Sequence, residues 1–497
     1  MTNKSAFVVG SLCMFLSFGA WAQTESGLSR ATHEAVTRLA GSILVDGRAY
    51  DYDKELADAI GPRLTGSDAY NRAVEWASAQ FRDLGLTSVQ AEGFQLSSLW
   101  EPASPAAGHV LTPRVQALHI ASFGWSPSTP NDGVRGTVFY VSNLGSPDKL
   151  KEDSRKIRGS IALVDNASLP ADATSKYGKF IDGFKMLNDL GAQAIVYGGL
   201  ALNNVEIGDA APPYNGALSP LPVAFLGHED SELLRRLSTK GQVTIEFAFH
   251  NRVRGATEVK NVVAEIRGRE KPEEWIVVGG HLDSWHTGTG AQDNGTGAAS
   301  VIEVARAIKA LGRPPLRSIR FILFGGEEQG LVGSTAYVHA HAFELGKCVA
   351  VLITDAGAGP AHGWLTFGRQ DVQQNLQPTR SLLAGLGGNG TSDDPEFLFG
   401  SDQAAFFANG IPSLMLWTET DKYNTVHHQS GDTFDKVDKH TLTEGTAIVA
   451  ATAYAIADAD TFPGHLSRTE VDTLLTKLGK YDNFVDMDQH GLQLRVK

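Results

Sequence analysis

The stretch Trp275–Ser300, WIVVGGHLDSWHTGTGAQDNGTGAAS, decides how this chain reads. Trp275–Val278 is an apolar run with the character of a buried strand, and it is expected to break at Gly279-Gly280. His281 and Asp283 then stand at the strand's exit. A glycine-rich loop presents Asp293 and opens into a helix, because Val301, Val304, Ala305 and Ile308 recur at helical spacing. Open α/β sheets place their chemistry at the carboxyl ends of strands. Nothing structural requires a histidine there.

The same arrangement recurs downstream. The strand Ile319–Phe324 runs into Gly325-Gly326 and then Glu327-Glu328, and Val349–Ile353 ends near Asp355. Ser413–Trp417 leads to the loop YNTVHHQSGDT, residues 423–433, which carries His427 and His428. Each feature has a plainer explanation by itself. Asp293-Asn294-Gly295 and Asp355-Ala356-Gly357 make good turns, and Glu327-Glu328 would complement a helix N-terminus. A single site explains all four at once. It also explains the flanking glycines, which let backbone pass close to something.

Two histidines and three carboxylates suit a pair of zinc ions, and the lack of thiols excludes a zinc-finger type of site. Two such ions can share a water and lower its pKa. Adjacent glutamates can then divide the work, one binding metal and the other staying free as a general base. Asp283 is placed to accept the other ring N–H of His281.

Bulk properties narrow the classes. At 497 residues the chain is expected to build more than one core, and 42% hydrophobic with 20% charged residues describes a globular protein. A formal charge of −13 argues against nucleic acid and anionic membrane as partners. Residues 1–22 read as an export signal, with Lys4, the apolar run Ala6–Phe18 and Ala20-Trp21-Ala22 before the cleavage point. No other stretch is apolar enough to anchor the chain in a bilayer. Cys13 falls in that signal, so the mature chain keeps only Cys348, a core position, and forms no internal disulfide.

The expected fold class is α/β: a mixed, mostly parallel sheet with helices on both faces. Residues 23–115 would form the N-terminal part of the catalytic domain, with the turn GPRLTGS (61–67) leading into a helix capped by Ser67 or Asp68. Residues 116–254 carry a separate pattern of short strands and helices, and 255–460 the regular α/β pattern with the candidate site. Residues 461–497 form a polar tail with no assigned role.

GGHLDSW with GAQDNGTG, then GGEEQGLVGS, TDAG and HHQSGDT, in this order, resemble the co-catalytic zinc exopeptidases of the aminopeptidase and glutamate carboxypeptidase type. The likeness runs from about Ile60 to Asp458, and RGSIALVD, GAQAIVYGG and LPVAFLG resemble the strands of a protease-associated insert. The resemblance implies a homodimer acting on short peptides with two Zn2+. Asp293 would bridge the ions, His281 and Asp355 would complete one set of ligands, and Glu328 and His428 the other. Glu327 would be the catalytic base. His428 is preferred to His427 because the family's ligand stands four residues before an acid, here Asp432. The resemblance also implies a cis Asp293–Asn294 peptide. Many relatives carry a tyrosine where His427 stands, so His427 or Tyr423 would stabilise the reaction intermediate, and His286 replaces an acid common among them. Two alternatives remain at this point: a single-zinc cyclase of N-terminal glutamine, and a non-catalytic receptor-like relative.

Overall fold

The computed structural model describes residues 27–86, 88–169 and 177–496, so the expected export signal lies outside the described residues. The site is carried by an eight-stranded sheet. Its strands are β1 (Gln90–Leu96), β2 (Thr257–Ile266), β3 (Lys271–His281), β4 (Arg317–Phe324), β5 (Cys348–Ile353), β6 (Ala361–Leu365), β7 (Gly390–Ser392) and β8 (Ser413–Thr418). They lie in the order β1-β2-β4-β3-β5-β8-β6-β7. The central run β4-β3-β5-β8 is parallel, while β1 and β2 on one flank and β6 against β8 on the other are antiparallel. The sheet is therefore mixed with a parallel centre, as the strand–helix alternation predicts.

The helices used below are α1 (Arg30–Asp46), α2 (Asp68–Asp83), α3 (Tyr177–Asp189), α4 (Thr296–Leu311), α5 (Val332–Ala340), α6 (Gln403–Ala408), α7 (Lys439–Asp458), α8 (Arg468–Lys477) and α9 (Tyr481–Gln489). Side chains alternate across a strand, so each central strand feeds two cores. Ile276, Val278, Phe321, Leu323 and Leu352 pack with α1, α2, α4 and α7 on one face. Trp275, Val277, Ile322, Phe324 and Val351 pack with α5, α6, α8 and α9 on the other. Burial on both faces is why these strands read as unbroken apolar runs. Cys348 is buried at the start of β5. Ser67 caps α2 by accepting the N–H of Tyr70.

One expectation fails locally. β3 does not break at Gly279-Gly280 but continues to His281, with Gly280 opposite Leu323 and His281 opposite Phe324. A Cβ on Gly279 would come within 2.9 Å of the Phe324 ring and 3.1 Å of Ile353. The pair therefore serves close packing between neighbouring strands, and the ladder overrides the turn signal.

A second eight-stranded sheet spans Ala107 to Ala248 and has its own cores. Its parallel centre comprises Val134–Tyr140, Ile161–Val164, Ala194–Gly198 and Val223–Leu226, with α3 and the helix His228–Ser238 among its connections. The chain enters and leaves it through an antiparallel pair, Leu99–Pro102 against Asn251–Arg254. The polar tail, left open from the sequence, folds as α8 and α9 and buries Val471, Leu475, Phe484 and Leu494. Among the described residues no helix is long and apolar enough to cross a membrane.

Candidate metal centre

Four parallel strands end at one edge of the sheet, and the loops that follow bring the candidate residues together. His281 closes β3 and is almost fully buried. Its Nε2 stands 3.1 Å from Asp355 Oδ1, just beyond β5, and 3.2 Å from Asp293 Oδ1, in the turn before α4. The second oxygen of Asp293 faces the other way. It lies 3.3 Å from His428 Nε2, and that nitrogen is 3.0 Å from Glu328 Oε2 in the loop after β4. Asp293 thus has one oxygen toward His281 and Asp355 and the other toward His428 and Glu328. The peptide Asp293–Asn294 is cis.

His281 reports on what is expected between these groups. Its Nδ1 is 3.0 Å from the main-chain carbonyl of Asp283. A carbonyl only accepts, so Nδ1 carries the hydrogen, and a neutral ring presents its Nε2 lone pair to the carboxylates. Asp283 thus acts through its carbonyl. Its carboxylate is 3.6 Å from Nδ1 and instead accepts the hydroxyl of Thr65 at 2.6 Å. The other ring N–H of His281 is thus accepted by Asp283, as expected, and the main chain does the accepting.

The donor set fits metal. Ligand atoms of His281, Asp293 and Asp355, and separately of Asp293, His427 and His428, lie within 4.8 Å of one another. Asp293 Oδ2 and Glu328 Oε1 are buried without a hydrogen-bond partner among the described residues. Orphaned buried carboxylate oxygens are uncommon in native proteins, and a cation satisfies them.

The electrostatics point the same way. Burial pushes the Glu327 carboxyl well above the usual carboxylate range and Glu328 up to about 7. Burial opposes charge on His281 and His428, yet the surrounding carboxylates outweigh it and raise both rings well above the ordinary imidazole value. Burial likewise opposes charge on Asp293, but the adjacent His281 and His428 rings hold it well below the usual range. Protein charges alone leave an excess of buried acid here.

His427 lies 3.4 Å from Asp293 Oδ2 and stacks on His428 with ring centroids 3.8 Å apart. Distance to Asp293 barely separates the two histidines, but the contact with Glu328 belongs to His428. His428 has a left-handed φ of 61°, and its carbonyl accepts the N–H of Gly208 and the hydroxyl of Thr287. Tyr423 packs against His427 at 4.9 Å.

All of these open onto a cleft of about 470 Å3 lined by His281, Asp293, Glu327, Glu328, Asp355, Tyr423, His427 and His428. Its remaining walls escaped the sequence reading. Tyr177 and Tyr214 come from the segment that builds the second sheet, Phe397 and Phe399 from the stretch before α6, and Met487 and Leu492 from the tail. No local periodicity marks such residues, because only packing of distant segments makes them neighbours. Asp402 was also missed. It is fully buried with neither carboxylate oxygen hydrogen-bonded among the described residues, and burial raises it to about 7. Its sequence setting, Gly400-Ser401-Asp402 before a helix, looks like an ordinary cap. His286 points elsewhere: it lines a separate recess with Glu206 and is held near 4 by burial.

Residues 261–453 match the model of Peptidase family M28. That stretch of the chain is similar to M28 peptidases. It is 29% identical over 436 residues to carboxypeptidase Q of Rattus norvegicus, covering 86% of this chain and 90% of the relative. It is 26% identical to aminopeptidase YwaD of Bacillus subtilis, covering 82% and 84%. The crystal structure of a peptidase M28 precursor from Shewanella amazonensis superposes with a TM-score of 0.76 at 26% identity, covering 88% of this chain and 99% of that one. The chain is accordingly an enzyme of the metallopeptidase class, and its candidate ligands His281 to His428 fall inside the matched span, as does the base candidate Glu327.

Proposed function

We propose that this chain is an exported di-zinc exopeptidase that releases single amino acids from short peptides. The observation that carries the reading is Asp293, whose two oxygens face two different groups of ligand atoms. His281 and Asp355 would complete one ion's protein ligands, and Glu328 and His428 the other's. When bound, the ions supply a water of lowered pKa and a Lewis acid for the peptide carbonyl. Glu327, next in the chain to the ligand Glu328, is left free of the ligand set; it takes the water's proton and returns it to the leaving amine. His427 and Tyr423, on the same wall, are the donors available to the developing oxyanion. The second sheet is the protease-associated-type insert, and it contributes Tyr177 and Tyr214 to the substrate wall.

The cleft also bears on polarity. Its described lining has no lysine or arginine to receive a carboxylate, and Glu396 stands on it as an acid outside the ligand set. The reading therefore favours a peptide held by its free amino end. A single-zinc cyclase would leave one of the two ligand groups around Asp293 without a role, and a receptor would have no use for Glu327.

The test compares the wild-type chain with Glu327→Gln. Two zinc ions per chain are expected in both, with hydrolysis of a dipeptide panel reduced by at least ~10²–10⁴ in the variant. N-acetylated substrates are expected to resist cleavage while C-amidated ones are cut. One zinc or none, or an active variant, would sink the reading; preferential loss on C-amidation would reverse the polarity.

A further inference from the structure

His281 and Asp293 sit at the two ends of a loop that forms neither strand nor α-helix up to Gly290. We propose that Arg63 is a positioning residue that sets the separation of these two ligands, with Thr65 as its partner on Asp283. The inference rests on the metal-centre reading above.

The Arg63 guanidinium is fully buried and spends its donors on main-chain carbonyls. Nε donates to Leu282 O at 2.8 Å, the residue directly after His281. Nη1 donates to Thr289 O at 2.8 Å and to Gly61 O at 3.1 Å, and Nη2 to Gly290 O at 2.7 Å. One planar fork therefore ties the beginning of the loop to its end. The Arg63 backbone strengthens the link: its N–H donates to Ser284 Oγ at 3.0 Å, and its carbonyl accepts the Ser284 N–H at 3.2 Å. Two residues on, Thr65 donates to the Asp283 carboxylate, and the Asp283 carbonyl orients the His281 ring.

The far end is held from the opposite side. The Asp432 carboxylate accepts the N–H groups of Gln292 and Asp293 at 2.6 and 3.1 Å. The charges of Asp53, Asp432, Asp283 and Asp293 favour the charged guanidinium against its burial. A buried cation beneath a metal centre would otherwise oppose metal binding, so its presence calls for a geometric reason. Lysine could not replace it, since an ammonium offers a point charge where three separate carbonyls of the loop need a rigid fork. Neither Arg63 nor Thr65 lines the cleft, so any effect on the reaction must pass through the loop.

The test titrates Co2+ into the full chain and its Arg63→Lys and Thr65→Val variants, following visible absorption, with circular dichroism as the check on folding. Both folded variants are expected to bind Co2+ about 10–100-fold more weakly, as for other outer partners of metal ligands, with an altered absorption band. In zinc-loaded enzyme kcat should fall while KM stays near wild type. Wild-type Co2+ affinity and spectrum in the variants would overturn the proposal. Thr65→Val removes a single hydroxyl, and it decides the matter if Arg63→Lys does not fold. A wild-type chain that takes up no Co2+ overturns the metal-centre reading and this inference together; uptake by the wild type with unchanged variants overturns this inference alone.

Discussion

His341 shows how one side chain can link an edge strand to a helix in a pH-dependent way. Its Nε2 is 2.9 Å from Glu92 on β1, and its Nδ1 is 2.7 Å from Glu344. Arg320 binds the same Glu344 at 2.7 Å, and the Tyr337 ring stacks on the imidazole. Burial works against the charged ring, but hydrogen bonds to Glu92 and Glu344 outweigh it and raise His341 above its ordinary 6.5. A histidine raised in the folded state stabilises fully below its unfolded value and loses that contribution as pH climbs through the folded one. His341→Gln should therefore lower Tm more at pH 5 than at pH 9, since the charged ring's contribution fades as pH rises. Melting curves at the two pH values check this, and an equal loss at both would mean that packing on Tyr337, not charge, holds the contact.

Helix α7 is the element on which the first core turns. Its residues are buried nearly throughout the last three turns, and small ones, Ala447, Ala450, Ala451 and Ala453, let it lie close to α1 and α4. At its C-terminal end Asp458 ties the helix to other segments. Its carboxylate pairs with Arg269 and with Arg313 at 3.0 Å, and it accepts the Thr32 hydroxyl at 2.8 Å and the Leu316 N–H at 3.1 Å. The side chain is fully buried, whereas both arginines are about a third exposed. Removing one partner of a wholly buried pair costs about 3–5 kcal/mol, and water reaching the arginines lowers that. Asp458→Ala should destabilise the chain by about 2–3 kcal/mol in urea unfolding at pH 7, with zinc uptake intact in the folded fraction. A loss under about 0.5 kcal/mol would show that solvent replaces the acid at little cost.

Across the whole molecule, the cleft depends on segments that the chain order keeps far apart. The tail reaches the helix α3 of the second unit, where the Asp486 carboxylate accepts the Gly178 N–H at 2.7 Å and His490 stands 3.5 Å from Asp182. A Cβ on Gly178 would lie 2.3 Å from both Asp486 Oδ1 and His490 Cε1. Tyr177, Met487 and Leu492, on either side of this seam, line the cleft. Gly178→Ala should push the seam apart and raise KM several-fold, leaving zinc content and the pH optimum unchanged. An unaltered KM would show that the seam does not shape the substrate wall.

Much of the site was legible because its residues obey a local rule. A polar residue in the loop after an apolar strand stands out from its surroundings, so His281, Asp293, Glu327, Glu328, Asp355 and His428 could each be picked out as candidates before any contact was known. The same periodicities foretold the parallel centre of the sheet and the helices on its faces, since burial on two sides writes itself into composition. Tertiary structure decided the rest. Whether Gly279-Gly280 turns or packs depends on Phe324 and Ile353 beside it. Whether Asp283 meets His281 by carboxylate or carbonyl depends on Thr65, more than two hundred residues earlier. The apolar wall of Phe397, Met487 and Leu492, and the guanidinium of Arg63 beneath the loop, arise only when distant segments close on one another. Sequence records what each residue does for its own strand or helix; contacts between segments carry no period along the chain, and folding alone brings them into being.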